Sequence, residues 1–221
     1  MNKHINLNNI LECLGINNKD MVDDKLLNDI ANISKETLGV IKPRYTYKEY
    51  ELIEGQLANK EIILEGEDIQ RLLKESHHVI FIAMTLGIEI DRVIQKYQIK
   101  DMAKAVIVDA SASAAIEEYA NNIQEELEIQ YAKKDMFITE RYSCGYGDLP
   151  LEMQGKFIDV IGANKAIGLY ADKSNLLNPR KSITAIIGIS NKEQGKMLSG
   201  CSNCKLKDSC IYKKGGNKCE K

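Results

Sequence analysis

The sequence contains no segment that would carry the chain into or across a membrane. No continuous apolar segment follows the N-terminal residues Met1–Asn6, so a secretory signal peptide is not predicted. The longest apolar run, Val79–Ile88, is interrupted by Thr85 and Gly87 and is far shorter than the roughly 20 residues that a membrane helix needs. We therefore expect a cytoplasmic protein with no membrane partner.

A surplus of charge is also missing. The chain has 30 basic and 32 acidic side chains, a formal net charge of -2, and no basic stripe with interleaved aromatic residues before its C-terminus. Such a balance creates no long-range field that would attract a polyanion, so nucleic acid is not expected as a partner. With 44% apolar and 28% charged residues, the 221-residue chain has the composition of an ordinary globular domain with room for a helical extension.

Internal repeats, low-complexity linkers and a regular alternation of strands and helices are absent as well. This mixture of elements favours an α+β fold over a doubly wound parallel sheet. We predict a central, mostly antiparallel, twisted sheet packed with helices; an N-terminal helical segment over residues 1–40 precedes a main domain over 41–195 and a cysteine-rich tail over 196–221. The periodicity predicts helices within 7–39, over 68–75, over 103–131 and from Asp148 onward, and strands over 44–53, 62–64, 79–84, 136–139, 167–171 and 182–189.

One short loop concentrates residues that could hold a ligand. It runs from Glu140 to Pro150, begins at the end of a predicted strand with Arg141, and contains Gly145 and Gly147. Glycines let backbone N–H groups approach a ligand, and a guanidinium can grip a carboxylate or phosphate with two parallel hydrogen bonds. A glycine loop between a strand and a helix is more often a connector, so the spacing alone leaves both interpretations open.

The predicted long helix carries a second candidate residue. Its run Ala110–Ala115 contains only small residues, which lets a sheet or another helix approach closely. Glu117 lies at the edge of the apolar stripe, where a buried carboxylate would need a partner. The alternative is a boundary glutamate whose side chain reaches out to water.

Four pieces in this order resemble the activation domain of vitamin B12-dependent methionine synthase, a family that also occurs as free-standing bacterial proteins. They are Thr85-Leu86-Gly87, the small-residue helix with Glu117, the element Arg141-x-x-x-Gly145-Tyr146, and Pro179-x-x-Ser182 before an apolar strand. Together they span about half of the chain, from Phe81 to Ser190. The resemblance implies a domain that binds S-adenosylmethionine and supports the reductive methylation of inactive cob(II)alamin, a methyltransferase role in methionine biosynthesis.

The resemblance also implies roles for individual residues. Arg141 would pair with the carboxylate of the cofactor, and Glu117 would contact its ammonium group or a ribose hydroxyl. The loop residues Cys144, Gly145, Tyr146 and Gly147 would meet the adenine or ribose, with the Tyr146 ring beside the corrin. No catalytic acid or base is expected, because proximity and orientation would carry the reaction.

The implied chemistry requires partners. No Asp-x-His-x-x-Gly element for cobalamin is present, so the cobalamin is expected on a partner, either a cobalamin-dependent methionine synthase or a related corrinoid protein. A reductant such as flavodoxin or ferredoxin would supply the electron. Enzymatic activity is accordingly expected only together with that partner.

Cysteines form a further candidate site in the tail. In a reducing compartment, closely spaced cysteines suit a tetrahedral zinc ion or an iron-sulfur cluster, although a tail with unligated cysteines is the simpler interpretation. A metal-bearing redox or electron-transfer protein is therefore one alternative function, and a non-catalytic module that binds corrinoid proteins is another. We expect Cys13 in the core of the first helix. The candidate metal ligands are Cys201, Cys204, Cys210 and Cys219.

Overall fold

The computed structural model describes residues 5–16, 22–59 and 62–193. Helices and strands are mixed along the chain without a regular alternation: two helices precede the first strand, and the other described helices lie between strands. The helices are α1 (Leu7–Cys13), α2 (Asp24–Val40), α3 (Glu67–Leu72), α4 (Ile88–Lys100), α5 (Met102–Ala132), α6 (Met153–Ile161) and α7 (Ala163–Ile167). The strands are β1 (Arg44–Ile53), β2 (Gln56–Leu57), β3 (His78–Thr85), β4 (Phe137–Ile138), β5 (Tyr170–Ala171), β6 (Leu177–Asn178) and β7 (Ser182–Ser190).

Five of these strands form one antiparallel sheet. Their order is β2-β1-β3-β7-β4, and β5 pairs with β6 in a separate two-stranded sheet. The central strand β3 pairs along its whole length with both neighbours. Its pairing with β1 runs from Arg44↔Thr85 to Glu51↔His78, and its pairing with β7 runs from His78↔Ile189 to Thr85↔Ser182. The predicted α+β class with a mostly antiparallel central sheet is confirmed.

The two faces of the sheet are covered by different helices. Successive side chains of a strand point to opposite faces, and β3 divides accordingly. Ile80, Ile82 and Met84 pack in a core with α1, α2, α4 and α5, which we call the first helical layer. Val79, Phe81 and Ala83 pack in a second core with α3, α6 and α7, the second helical layer. The N-terminal helices thus belong to the same core as the sheet, while the division of the chain at residues 40 and 195 stays a prediction.

The long helix α5 is the longest element of the first layer. It begins at Met102, where the side chain of Asp101 accepts a hydrogen bond from the backbone N–H of Lys104 at 3.2 Å. The run Ala110–Ala115 is buried except for Ser113. Small side chains there let the helix lie close to the sheet, and the predicted helix over 103–131 is confirmed within one residue at each end.

The strand predicted over residues 62–64 is wrong. Ile62 and Leu64 are buried in the second core, but these residues belong to no strand. The side-chain amide of Gln56 takes the place of a neighbouring strand: its Oε1 accepts from Leu64 N at 2.9 Å and its Nε2 donates to Leu64 O at 3.1 Å. Ile62 and Leu64 are therefore buried here without the backbone pairing of a strand.

The prediction for residues 167–171 was correct only in part. Ile167 is the last residue of α7, Gly168 follows it with a positive φ of 71°, and the strand β5 begins at Tyr170.

Within the described ranges, no helix combines the length with the apolar character that crossing a bilayer would require.

Candidate functional site

The site begins with a bulge at the edge of the sheet. Thr139 pairs with Gly188 on β7, where Thr139 N donates to Gly188 O at 3.0 Å, and Tyr142 pairs with Ile186. Two residues, Glu140 and Arg141, thus lie between the paired positions on this side, whereas only Ile187 lies between them on β7. One residue is therefore extra, which is a β-bulge. A bulge of this kind re-aims the side chains beside it. Tyr142 turns into the second core with Ile186, and Arg141 turns to the first helical layer.

Arg141 is held on the surface of α5. Its Nη1 donates to the backbone oxygen of Ala120 at 2.9 Å, and its Nη2 donates to Oδ1 of Asn121 at 2.7 Å. Burial lowers the pKa of the Arg141 guanidinium, whereas the carboxylates of Glu117 and Glu128 act in the opposite direction. The guanidinium stays charged at neutral pH, because an arginine pKa starts above 12.

Glu117 lies on the same face of α5 as these contacts. Residues 113, 117 and 121 follow at steps of four, so Ser113, Glu117 and Asn121 line up along the helix about one turn apart. Glu117 is half-buried, and the described residues contain no ion pair between it and Arg141 within 4.0 Å. The structure therefore brings Glu117 and Arg141 to one surface without joining them directly.

The segments around Thr85 and Ser182, which also carry the family resemblance, meet near the N-terminal half of α5. Ser182 Oγ donates to Thr85 Oγ1 at 2.8 Å, and Lys181 Nζ reaches Asp109 Oδ1 and Ser113 Oγ, each at 2.8 Å. Thr85 and Ser182 are thus neighbours, as their pairing across β3 and β7 requires. The neighbouring Lys181 contacts α5 at Ser113, whereas Arg141 contacts it at Asn121. These two contacts are eight residues apart, which is about two turns of the helix.

The remainder of the loop is anchored in the second helical layer. We call Glu140–Arg141 the arginine half of the loop and Tyr142–Asp148 the glycine half. Within the glycine half, Gly145 N donates to Leu149 O at 2.9 Å and Tyr146 N donates to Ser143 O at 3.1 Å. These N–H groups are occupied inside the loop, so in this conformation they do not point at a ligand.

Gly147 is the tightest point of the glycine half. Its φ is +53°, and a Cβ at this position would collide with the hydroxyl of Tyr142 and a carboxylate oxygen of Asp68. The Tyr142 hydroxyl in turn donates to the backbone oxygen of Tyr146 at 3.0 Å. Glycine is therefore required here by both the backbone conformation and the space.

Asp148 does not start the following helix as predicted. Its carboxylate accepts from Glu67 N at 2.7 Å and from Asp68 N at 3.3 Å, so it caps α3 from a distant part of the chain. The N-cap residue of α3, Gly66, has no side chain that could do this, while α6 begins only at Met153. The sequence pattern identified the right type of residue and the wrong helix.

Cys144 and Tyr142 are buried parts of the second core. Burial raises the pKa of the Cys144 thiol to about 11. Burial, followed by the charges of Asp68 and Asp148, raises the pKa of Tyr142 to about 12. Both groups stay protonated at neutral pH, and Cys144 has no thiolate character that would make it a nucleophile.

Tyr146 carries the exposed aromatic side chain of the loop. Its side chain is 63% exposed, next to the exposed Gly145 and Gly147. A shallow hollow of about 200 Å³ lies near the loop exit but does not include Arg141 or Glu117. It is lined by Ile62, Ile63, Glu65, Pro150, Met153 and Lys156.

The predicted metal ligands Cys201, Cys204, Cys210 and Cys219 lie outside the described residues. Among the residues that are described, no group of three or more His, Cys, Asp or Glu side chains could hold a metal ion. Cys13 is exposed at the end of α1, so its expected place in a helix core is wrong.

Two features of the site were not predicted from the sequence. The bulge left no local signal, because it depends on which β7 residues pair with Thr139 and Tyr142. The position of Asn121 beside Glu117 could have been predicted from spacing. It stands four residues after Glu117 on the same helical face, the spacing at which side chains become neighbours.

Comparison with known proteins gives one line of support. No protein-family model and no curated protein matches the chain. Among solved structures, the chain is similar to the crystal structure of the MetH reactivation domain bound to AdoHcy, with a TM-score of 0.57 and 13% sequence identity over 87% of this chain and 71% of that chain. At that identity the likeness shows a shared fold.

Proposed function

We propose that this protein binds S-adenosylmethionine at the surface shared by Arg141 and α5, and that it supports reductive methylation of cob(II)alamin on a partner protein. The observation that carries the proposal is the bulge that delivers Arg141 to the Glu117 face of α5, in a fold shared with a reactivation domain bound to AdoHcy. S-adenosylmethionine has the same amino acid and nucleoside as AdoHcy and adds a methyl group on sulfur.

The donors and acceptors on this surface match an amino acid. Arg141 offers a charged guanidinium for the carboxylate, and Glu117 offers an acceptor for the ammonium group on the same helical face. A carboxylate and an ammonium on one carbon need such opposite charges close together. Cys144, Gly145 and Gly147 would contribute backbone contacts to the nucleoside, although Gly145 could donate its N–H only if the loop opened its hydrogen bond to Leu149 O.

Tyr146 suits the contact with the partner. An exposed aromatic ring at a loop tip can pack on a flat apolar surface, and the corrin carried by the partner would present one. S-adenosylmethionine would supply the methyl group and become AdoHcy, and a reductant such as flavodoxin or ferredoxin would supply the single electron. The described residues would bind and orient the cofactor, which requires no acid or base from the chain.

The first test is calorimetric titration of anaerobically purified protein with S-adenosylmethionine and with AdoHcy. We expect both to bind, and Arg141→Ala to weaken binding roughly 10- to 150-fold, because it removes a charge-assisted hydrogen-bond pair. Arg92→Ala is the matched control, since Arg92 is exposed on α4. It should bind as the wild type does.

The outcomes separate the parts of the proposal. An absence of binding in the wild type, or equal binding by Arg141→Ala, would reject the cofactor site. If binding is present, transfer of a labelled methyl group from S-adenosylmethionine to a purified cobalamin-dependent methionine synthase, with reductant, tests the reaction itself. A label that never reaches the partner would reject the reactivation role and leave the binding site standing.

A further inference from the structure

Asn121 and Arg141 form a contact that the proposed function does not yet use. The Arg141 guanidinium touches two consecutive residues of α5 through different nitrogens, Nη1 to the Ala120 carbonyl and Nη2 to Asn121 Oδ1. The first acceptor belongs to the helix backbone and would be present with any side chain at position 120. The second contact depends on the side chain, because its acceptor is Oδ1 of Asn121.

Two contacts fix what one contact leaves undetermined. A guanidinium held only through Nη1 can still rotate about that hydrogen bond, so its plane is undefined. A second bond through Nη2 fixes the plane. The remaining donors are Nε–H and one N–H on each terminal nitrogen, and they stay available for a bidentate grip on a carboxylate.

We propose that Asn121 is a positioning residue that orients Arg141 for the carboxylate of S-adenosylmethionine; this inference rests on the proposed function. Bidentate recognition depends on the orientation of the guanidinium plane as well as on its charge. A plane that is already fixed before binding loses less freedom when the ligand arrives, which improves affinity without a new contact. Asn121 does this through Arg141 and does not itself touch the ligand.

The position of Asn121 makes the idea testable. The side chain is exposed on α5 and belongs to neither core, so Asn121→Ala opens no cavity. Asn122→Ala provides a matched control: it is the same substitution at the next residue of the same helix. The described contacts include no hydrogen bond between Asn122 and the guanidinium.

The experiment is a double-mutant cycle on the full chain, with S-adenosylmethionine titrated by calorimetry at protein concentrations high enough to measure the weakest variant. We expect Asn121→Ala to lower affinity about tenfold. In the double variant with Arg141→Ala, the second change should add nothing, because Asn121 acts only through Arg141. Asn122→Ala should bind as the wild type does, and thermal unfolding should leave the midpoints of Asn121→Ala and Asn122→Ala close together.

Each contrary result has a distinct meaning. Additive losses in the double variant would mean that Asn121 contacts the ligand itself or acts elsewhere, which overturns the inference and spares the cofactor site. An unchanged affinity in Asn121→Ala does the same. A selective fall in the unfolding midpoint of Asn121→Ala would assign the contact to stability. A wild type that binds nothing would reject the proposed function, and the inference with it.

Discussion

Arg141 and Cys144 stand three residues apart in the chain and face opposite helical layers. Arg141 lies on the surface of α5 in the first layer, held by hydrogen bonds at its tip. Cys144 is buried in the core of the second layer with Tyr142 and Leu149. The arginine half of the loop is therefore held by polar contacts that a ligand could join, whereas the glycine half is held by packing in the second core and by hydrogen bonds within the loop and to α3.

This difference changes the meaning of the glycines. In the sequence they indicated a backbone that approaches a ligand. In the structure Gly147 makes room for Tyr142 and Asp68, and Asp148 ties the loop to α3. The glycine half thus anchors the loop to the second helical layer, and substitutions in the two halves should affect different properties.

The largest effect on stability is expected from Gly147→Ala. The new methyl group collides with Tyr142 and Asp68 at a φ that alanine adopts only with strain, so the free energy of unfolding should fall by roughly 3 kcal/mol. Urea denaturation measures this change. Gly155→Ala is the control, because no atom lies within 4 Å of a Cβ at that position in α6, and it should be neutral or slightly stabilising. Similar midpoints for both variants would show that the glycine half is not tightly packed.

A second comparison uses pH. Burial raises the pKa of Cys144 from 9.0 to about 11, so between these values the unfolded chain loses the thiol proton while the folded chain keeps it. The contribution of the Cys144 thiol to the free energy of unfolding is fully present below pH 9. As the pH rises toward 11, this contribution falls by about 2 kcal/mol. Tyr142 and other groups titrate nearby, so the quantity to measure is the difference in unfolding free energy between the wild type and Cys144→Ala across this range. A difference that stays constant with pH would contradict the burial of the thiol.

A smaller effect is expected where the loop meets α3. Asp148→Ala removes the carboxylate that caps this helix and should cost about 1 kcal/mol of unfolding free energy. Asp148→Asn keeps an oxygen acceptor and should cost less. Hydrogen exchange at the amides of Glu67 and Asp68 gives the local measurement, because both donate to Asp148. Unchanged exchange in Asp148→Ala would mean that the cap contributes little.

Much of the fold could be predicted because the signals are local. The length and position of α5 follow from its periodicity, and β3 and β7 follow from continuous runs of buried apolar residues. The likeness to a reactivation domain agrees with the fold that the motifs suggested. Local signals failed at residues 62–64, where the side chain of Gln56 replaced a strand, and at Cys13, whose exposure depends on how α1 packs.

The candidate site was predictable in its residue types and not in its arrangement. The sequence placed Arg141 after a strand and Glu117 on the edge of a helical stripe, whereas their roles as ligand contacts came only from the family resemblance. Their meeting on one surface depends on the bulge opposite Ile187, which exists only because Thr139 and Tyr142 pair with particular β7 residues. Such pairings join segments more than 40 residues apart, and no window of sequence contains them.

The amino-acid sequence by itself determined the long helix α5 and the buried strands β3 and β7, because propensity and apolar periodicity act within a few residues. It did not predict α4, and it placed a strand over residues 62–64 where the structure has none. It also determined that a fixed cation follows β4 and that a carboxylate lies on α5. The tertiary structure alone decided that Arg141 faces α5, that Cys144 faces the opposite layer, and that Asp148 caps α3. The physical reason is that these choices are made by hydrogen bonds and packing between distant segments, whose energies depend on the register and not on the identity of neighbouring residues.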